Sequence, residues 1–232
     1  MIDSGPDPEL PPYQVPHTRA PIRIVYRDPH LLIVEKPTLL LSVPGRHPLN
    51  KDCLIHRLSH RYPGVAAVHR LDLDTSGLML VPRHGAALSG LARLFQERRI
   101  GKTYHARVAG TVDEDQGEID LPLAPDWPNR PKQKVCFDAG KPALTRWQVL
   151  QRDRDSTLLE LTPITGRSHQ LRIHLQQIGH PILGCDLYAP ESALRAAPRL
   201  LLHATRLVFE HPIYRQKLTA YSAPSDILAP TT

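Results

Sequence analysis

The chain has 232 residues, 41% hydrophobic and 22% charged, with a net charge of +6, the make-up of an ordinary globular domain large enough to bury a core. No run approaches the ~18 uninterrupted apolar residues of a membrane span and no signal-peptide pattern opens the chain, so a cytoplasmic protein with no membrane partner is expected. Cys53, Cys136 and Cys185 are odd in number, far apart and form no CxxC pair, which suggests neither a disulfide framework nor a zinc site and fits a reducing compartment.

Residues 1–21 hold six of the 24 prolines and almost no periodic apolar pattern, and are expected to form a flexible leader. Within residues 1–18, Asp3, Asp7 and Glu9 face no Lys or Arg, which leaves 29 basic and 20 acidic residues over 19–232. A folded body with that excess suits a polyanion such as nucleic acid. The folded domain is expected to span 22–232. It opens with IRIVY (22–26) and LLIVE (31–35) around Arg27-Asp28-Pro29-His30, a hairpin signal. Helices are predicted over 50–61 and 86–99, the second with an apolar stripe of Leu88, Leu91, Leu94 and Phe95. The apolar run Leu78 to Val81 predicts a strand. Further strands are predicted over 103–109, 143–150, 156–162, 200–209 and 217–222. One helix, 168–178, interrupts them and carries Leu171, His174, Leu175 and Ile178 on one face. His174 is expected to pack against that face; with His169 five residues away, the pair has the wrong spacing for two metal ligands on a helix. The sum is one α+β domain with a mainly antiparallel, mixed sheet flanked by helices and loops.

Four stretches carry chemistry. His69-Arg70-Leu71-Asp72-Leu73-Asp74-Thr75-Ser76-Gly77 fixes a carboxylate beside an arginine, a candidate nucleophile or base or, equally, a surface ion pair. Lys102-Thr103-Tyr104 opens a strand. Thr165 to Arg172 (TGRSHQLR) is a turn entering a helix. The stretch 129–141 is basic, with Arg130, Lys132, Lys134 and Lys141 against Asp138 alone.

HRLDLDTSG, KTYHARVAG, TGRSHQLRIHL and HPILG, in that order, resemble the RluA family of pseudouridine synthases, over about residues 24–224. The segment DWPNRPKQKVC (126–136) resembles the branch of that family that modifies both a tRNA anticodon loop and a loop uridine of 23S rRNA. The resemblance implies an enzyme that breaks the N1–C1′ bond of uridine, turns the base over and rejoins it through C5. Such an isomerisation needs no cofactor, metal or energy source. The resemblance assigns the nucleophile or base to Asp72, its salt-bridge partner to Arg172 and the stacking tyrosine to Tyr104. A phenol of pKa about 10 is a poor base at neutral pH, so stacking is the expected role of Tyr104. Arg167 is a rival partner for Asp72 or a phosphate contact. A uridine in a folded loop must leave its stack to react, and Arg70, beside the nucleophile, is placed to fill the space; His69 is grouped with it toward RNA. Arg130, Lys132 and Lys134 are expected to read RNA backbone shape.

Asp74 lies two residues from Asp72, so a paired-carboxylate glycosidase is an alternative; a non-catalytic RNA-binding or ribosome-assembly protein on the same fold is another. The synthase reading makes one acid essential and Asp74 a loop hydrogen-bond acceptor. The chain departs from the family where Leu39 fills a usual glycine and Cys185 a common aspartate. Many relatives carry an N-terminal S4 domain, which is not expected here. A monomer is expected.

Overall fold

A computed structural model describes residues 15–229. Most of the proline-rich leader, residues 1–14, lies outside them. Residues 15–22 run without helix or strand, with Val15 N–H donating to Asn50 Oδ1 at 3.0 Å and the Thr18 carbonyl accepting from Arg57 at 2.6 Å.

The first two apolar runs form β1 (Arg23–Arg27) and β2 (Leu31–Lys36), an antiparallel pair whose turn is held by the Asp28 carboxylate accepting from the N–H groups of His30 and Leu31. β3 (Ser76–Pro82) pairs with β2, and both are buried on both faces. Leu31, Ile33, Leu78 and Leu80 pack with Leu91 and Leu94 of α2 (Gly85–Gln96). Leu32, Val34, Met79 and Val81 pack on the other face with Leu54 and Leu58 of α1 (Leu54–Ser59). Two covered faces explain why these strands read as unbroken apolar runs instead of alternating ones. Both helices are shorter than predicted. α1 follows a separate 3-10 turn at Pro48–Asn50 and an extended Cys53, and α2 ends before Arg98, which takes the left-handed φ of 55°.

β4 (Gly101–Ala109), β8 (Leu144–Arg152), β9 (Ser156–Pro163), β10 (Leu202–Glu210), β11 (Lys217–Tyr221) and α3 (Gln170–Gln177) fall where the sequence places them. β5 (Gln116–Asp120), the hairpin β6 (Leu123–Pro125) and β7 (Gln133–Val135), α4 (Glu191–Arg195) and α5 (Ser225–Leu228) do not. Each is five residues or fewer with at most one buried side chain, too little for a periodic pattern to register.

The nine-stranded sheet runs β1-β2-β3-β10-β4-β9-β8-β5, with β11 also paired to β10. Every pair is antiparallel except β3 with β10, so the sheet is mixed, and the fold is α+β. α3 packs Leu171 and Leu175 into the core beside Leu159 and Leu161 of β9, and His174 is buried with them, bonded to Thr145 Oγ1 and the Leu121 carbonyl. Gly77 shows why the motif ends on glycine. Its φ is 115°, and a Cβ there would stand 2.4 Å from the Ala204 carbonyl oxygen of β10. Among the described residues no helix is long and apolar enough to cross a membrane.

Candidate active site

One row across the sheet assembles the site. Ala204 of β10 is in register with Gly77 of β3 on one side and Tyr104 of β4 on the other, and Tyr104 is in register with Leu161 of β9. The 69–76 loop, the start of β4 and the turn leaving β9 therefore meet at one end of the strands. They enclose a cleft of about 280 Å³ lined by His69, Arg70, Asp72, Lys102, Tyr104, Arg167, His169 and Arg172, with Phe95 and Leu202 as apolar walls. All six predicted residues from the HRLDLDTSG, KTY and TGRSHQLR stretches are there. Arg130, Lys132 and Lys134 are not; they lie on the β6–β7 hairpin, where the Arg130 guanidinium sits 3.5 Å over the exposed Trp127 ring. That hairpin packs Leu123 and Val135 against Ile173 of α3.

The Asp72 loop is fixed by its backbone. Ser42 Oγ both donates to the Leu71 carbonyl (2.7 Å) and accepts from the Leu71 N–H (3.0 Å). Lys36 Nζ donates to the Leu73 carbonyl at 3.0 Å, and Thr38 Oγ1 to the Asp74 carbonyl at 2.8 Å. With residues 71, 73 and 74 tied down, the Asp72 side chain is presented to the cleft, 20% exposed, and among the described residues it is the one acid that lines it.

Arg172 departs from the expected pairing. Its buried guanidinium reaches Asp74 Oδ2 at 3.7 Å, bonds the Asp186 carboxylate, and has Cys185 Sγ 3.3 Å from both Nε and Nη2. Burial works against its charge, but Cys185, Asp186 and Asp72 outweigh it and hold the pKa above the ordinary value. Asp72 thus feels this cation without touching it. Asp74 turns toward Arg172 and away from the cleft; burial, and then the neighbouring Asp186, raise its pKa against the pull of Arg172.

The TGRSHQ turn owes its shape to Gln170. Its Oε1 accepts from Thr165 Oγ1 (2.7 Å) and the Arg167 N–H (3.0 Å), while Nε2 donates to the Leu144 carbonyl and Thr145 Oγ1, each at 3.0 Å. Arg167 donates to the Pro142 carbonyl at 3.1 Å. Burial, reinforced by Asp72, pushes the Tyr104 phenol above its ordinary pKa, so it stays protonated. His69 accepts the Leu80 N–H at 2.9 Å and lies 4.7 Å from the Phe95 ring; burial takes its pKa down to about 3, so it is a neutral wall of the cleft. Arg70 is exposed at the mouth. Lys102 is largely buried, with its pKa lowered for that reason, and no described residue pairs with its ammonium. Among the described residues no group of three or more His, Cys, Asp or Glu is placed to hold a metal ion.

The sequence matches the RNA pseudouridylate synthase family over residues 30–177. The chain belongs to the RNA pseudouridylate synthase family. Like other pseudouridine synthases it is an isomerase that acts on RNA. It is 51% identical over 191 residues to the dual-specificity RNA pseudouridine synthase RluA of Vibrio cholerae, covering 82% of this chain and 78% of that one. It is 50% identical over 204 residues to the protein of the same name from Escherichia coli, covering 88% and 93%. Human RNA pseudouridylate synthase domain containing 1 superposes with a TM-score of 0.74 at 30% identity, covering 90% of this chain and 86% of that one.

The two departures from the family pattern both acquire a structural reading. Leu39 adopts φ 59°, the left-handed conformation that a glycine enters without strain. Cys185 is buried against Arg172, and the carboxylate that pairs with this guanidinium comes from the next residue, Asp186. Sequence reasoning missed Lys36, His169 and Tyr188. Lys36 ends an apolar strand before a proline, a place that reads as a strand terminus, and Tyr188 belongs to no motif.

Proposed function

We propose that this synthase converts uridines in a tRNA anticodon loop and in a loop of 23S rRNA, with Asp72 as the reacting carboxylate. The observation that carries the reading is that, among the described residues, Asp72 is the one acid lining the cleft, set among Tyr104, Arg70 and the buried Arg172. In the reaction the N1–C1′ bond breaks, the base turns, C5 bonds to C1′, and the C5 proton is lost while N1 gains one. An ionised Asp72 serves either by attack at C1′ or by taking a sugar proton to give a glycal. Arg172 stands behind this carboxylate, itself held by Asp74, Asp186 and Cys185. Tyr104, kept protonated, stacks on the flipped base, and Arg70 at the mouth occupies the space the base leaves. His69 and Arg167 shape the entrance, and Arg130, Lys132 and Lys134 hold phosphates further out. We further take the enzyme to act as a monomer in the cytoplasm. A glycosidase with two carboxylates at the bond is disfavoured because Asp74 does not line the cleft.

Incubation with a tRNA anticodon stem-loop and with a 23S rRNA fragment, followed by pseudouridine mapping, tests the substrates. Modification of one loop uridine in each RNA is expected. Product in only one, or in neither, removes the dual-substrate reading.

A further inference from the structure

His169 was no part of the set expected to act, yet among the described residues it is the one group within ion-pair reach of Asp72. It sits at the start of α3 with a left-handed φ of 55°, and its side chain makes no capping bond to that helix. The ring, 11% exposed, has Nε2 4.0 Å from Asp72 Oδ1 and Nδ1 2.6 Å from Tyr188 Oη. Tyr188 Oη in turn accepts the backbone N–H of Gln133 at 2.9 Å. Gln133 opens β7, next to Lys132 and Lys134 of the basic hairpin.

The protons along this chain have a consistent order. A phenol that accepts from Gln133 N–H has its own proton to give to Nδ1. The neutral imidazole then carries its proton on Nε2, facing Asp72. Burial keeps the ring neutral against the opposing charge of Asp72. A closure of about 1 Å would convert the 4.0 Å separation into a hydrogen bond.

We propose that His169 is a positioning residue for Asp72, orienting its carboxylate through Nε2–H, and that Tyr188 couples this donor to the RNA-facing hairpin through Gln133. The inference rests on Asp72 being the reacting carboxylate. The test is single-turnover pseudouridine formation at saturating RNA for His169→Ala, His169→Gln, Tyr188→Phe and the double variant His169→Ala/Tyr188→Phe, with Asp72→Asn alongside and RNA affinity measured separately. His169→Ala is expected to slow turnover by about tenfold or more, the worth of one hydrogen bond to a charged group, with RNA affinity unchanged. His169→Gln, whose amide reaches the same place, is expected to recover most of the rate. Tyr188→Phe is expected to slow turnover less than His169→Ala does, and to cost nothing more in the double variant. Unchanged turnover in His169→Ala, glutamine no better than alanine, or losses that multiply in the double variant overturn the proposal. If His169→Ala does not fold, the glutamine and phenylalanine variants decide it: both must keep RNA affinity, and phenylalanine must slow turnover. Activity in Asp72→Asn removes instead the reading of Asp72 on which the proposal stands.

Discussion

Lys36→Met removes a donor from beneath the reactive loop while keeping the length of the side chain. Lys36 is wholly buried at the end of β2, and its ammonium donates to the carbonyls of Pro37, Leu40 and Leu73 at 2.9, 2.7 and 3.0 Å. When the group is charged, three donors meet three acceptors and it is saturated. Each bond from a charged donor is worth about 1.5–3 kcal/mol, while methionine relieves a desolvation penalty of roughly several kcal/mol. The balance, dominated by three carbonyls left without partners, is a loss of about 3 kcal/mol. At ~2–4 °C per kcal/mol for a chain of this size, the melting temperature falls by about 6–12 °C. The freed Leu73 carbonyl also loosens the neighbour of Asp72, so turnover at saturating RNA falls by about tenfold with little change in affinity. Calorimetry and single-turnover assays measure the two effects. A methionine variant that melts within about 2 °C of the parent and turns over normally would refute the reasoning. Acidity adds a signature of its own. Burial lowers the Lys36 pKa to about 7, against the opposing pull of Asp74 and Asp72, from 10.5 in the unfolded chain. Between those values the unfolded chain holds a proton that the folded one has released. The parent therefore gains stability over the methionine variant as pH rises from 7 toward 10.5.

Two further outcomes are expected. Lys102 is largely buried between the cleft and a second groove of about 480 Å³ that shares Phe95, Gly166 and Arg167 with it; Lys102→Met should weaken RNA binding and reduce the slope of log affinity against log salt by about one, and an unchanged slope in filter binding contradicts a phosphate contact there. His203 bonds Ser76 and Ser222 as a neutral ring, its pKa brought down to about 4 by burial. The unfolded chain binds that proton first, so stability present above pH 6.5 is lost as pH falls toward 4. Urea midpoints across that range should fall more shallowly in His203→Gln, and an unaltered pH dependence refutes the assignment.

The strands and helices that bury a whole face were legible in the sequence because period and composition report burial. β2, β3, β4, β9 and β10, and helix α3 with its inward His174, are all of this kind. The β6–β7 hairpin and α5 were not, because pieces of five residues or fewer with one inward side chain leave no pattern. The gathering of residues at the cleft was legible where motif and chemistry coincide, at Asp72, Tyr104 and Arg172. What stayed hidden was second-layer wiring. That Arg172 would bond Asp186 and face Asp74 instead of Asp72 depends on the direction of α3 and on the turn at Gly184, neither of which spacing encodes. Lys36 and His169 act through the geometry of their neighbours, and a buried lysine that saturates three carbonyls reads locally like any charged residue ending a strand.

The central claim is that one carboxylate, not two, does the chemistry. Single-turnover pseudouridine formation by Asp72→Asn and Asp74→Asn, on an RNA the parent modifies, tests it most directly. Asp72→Asn is expected to fold and bind RNA yet form no product. Asp74→Asn, which strips Arg172 of one of its two carboxylate partners, is expected to lose stability and retain measurable activity. Product from Asp72→Asn, or a folded Asp74→Asn that is equally dead, contradicts the account.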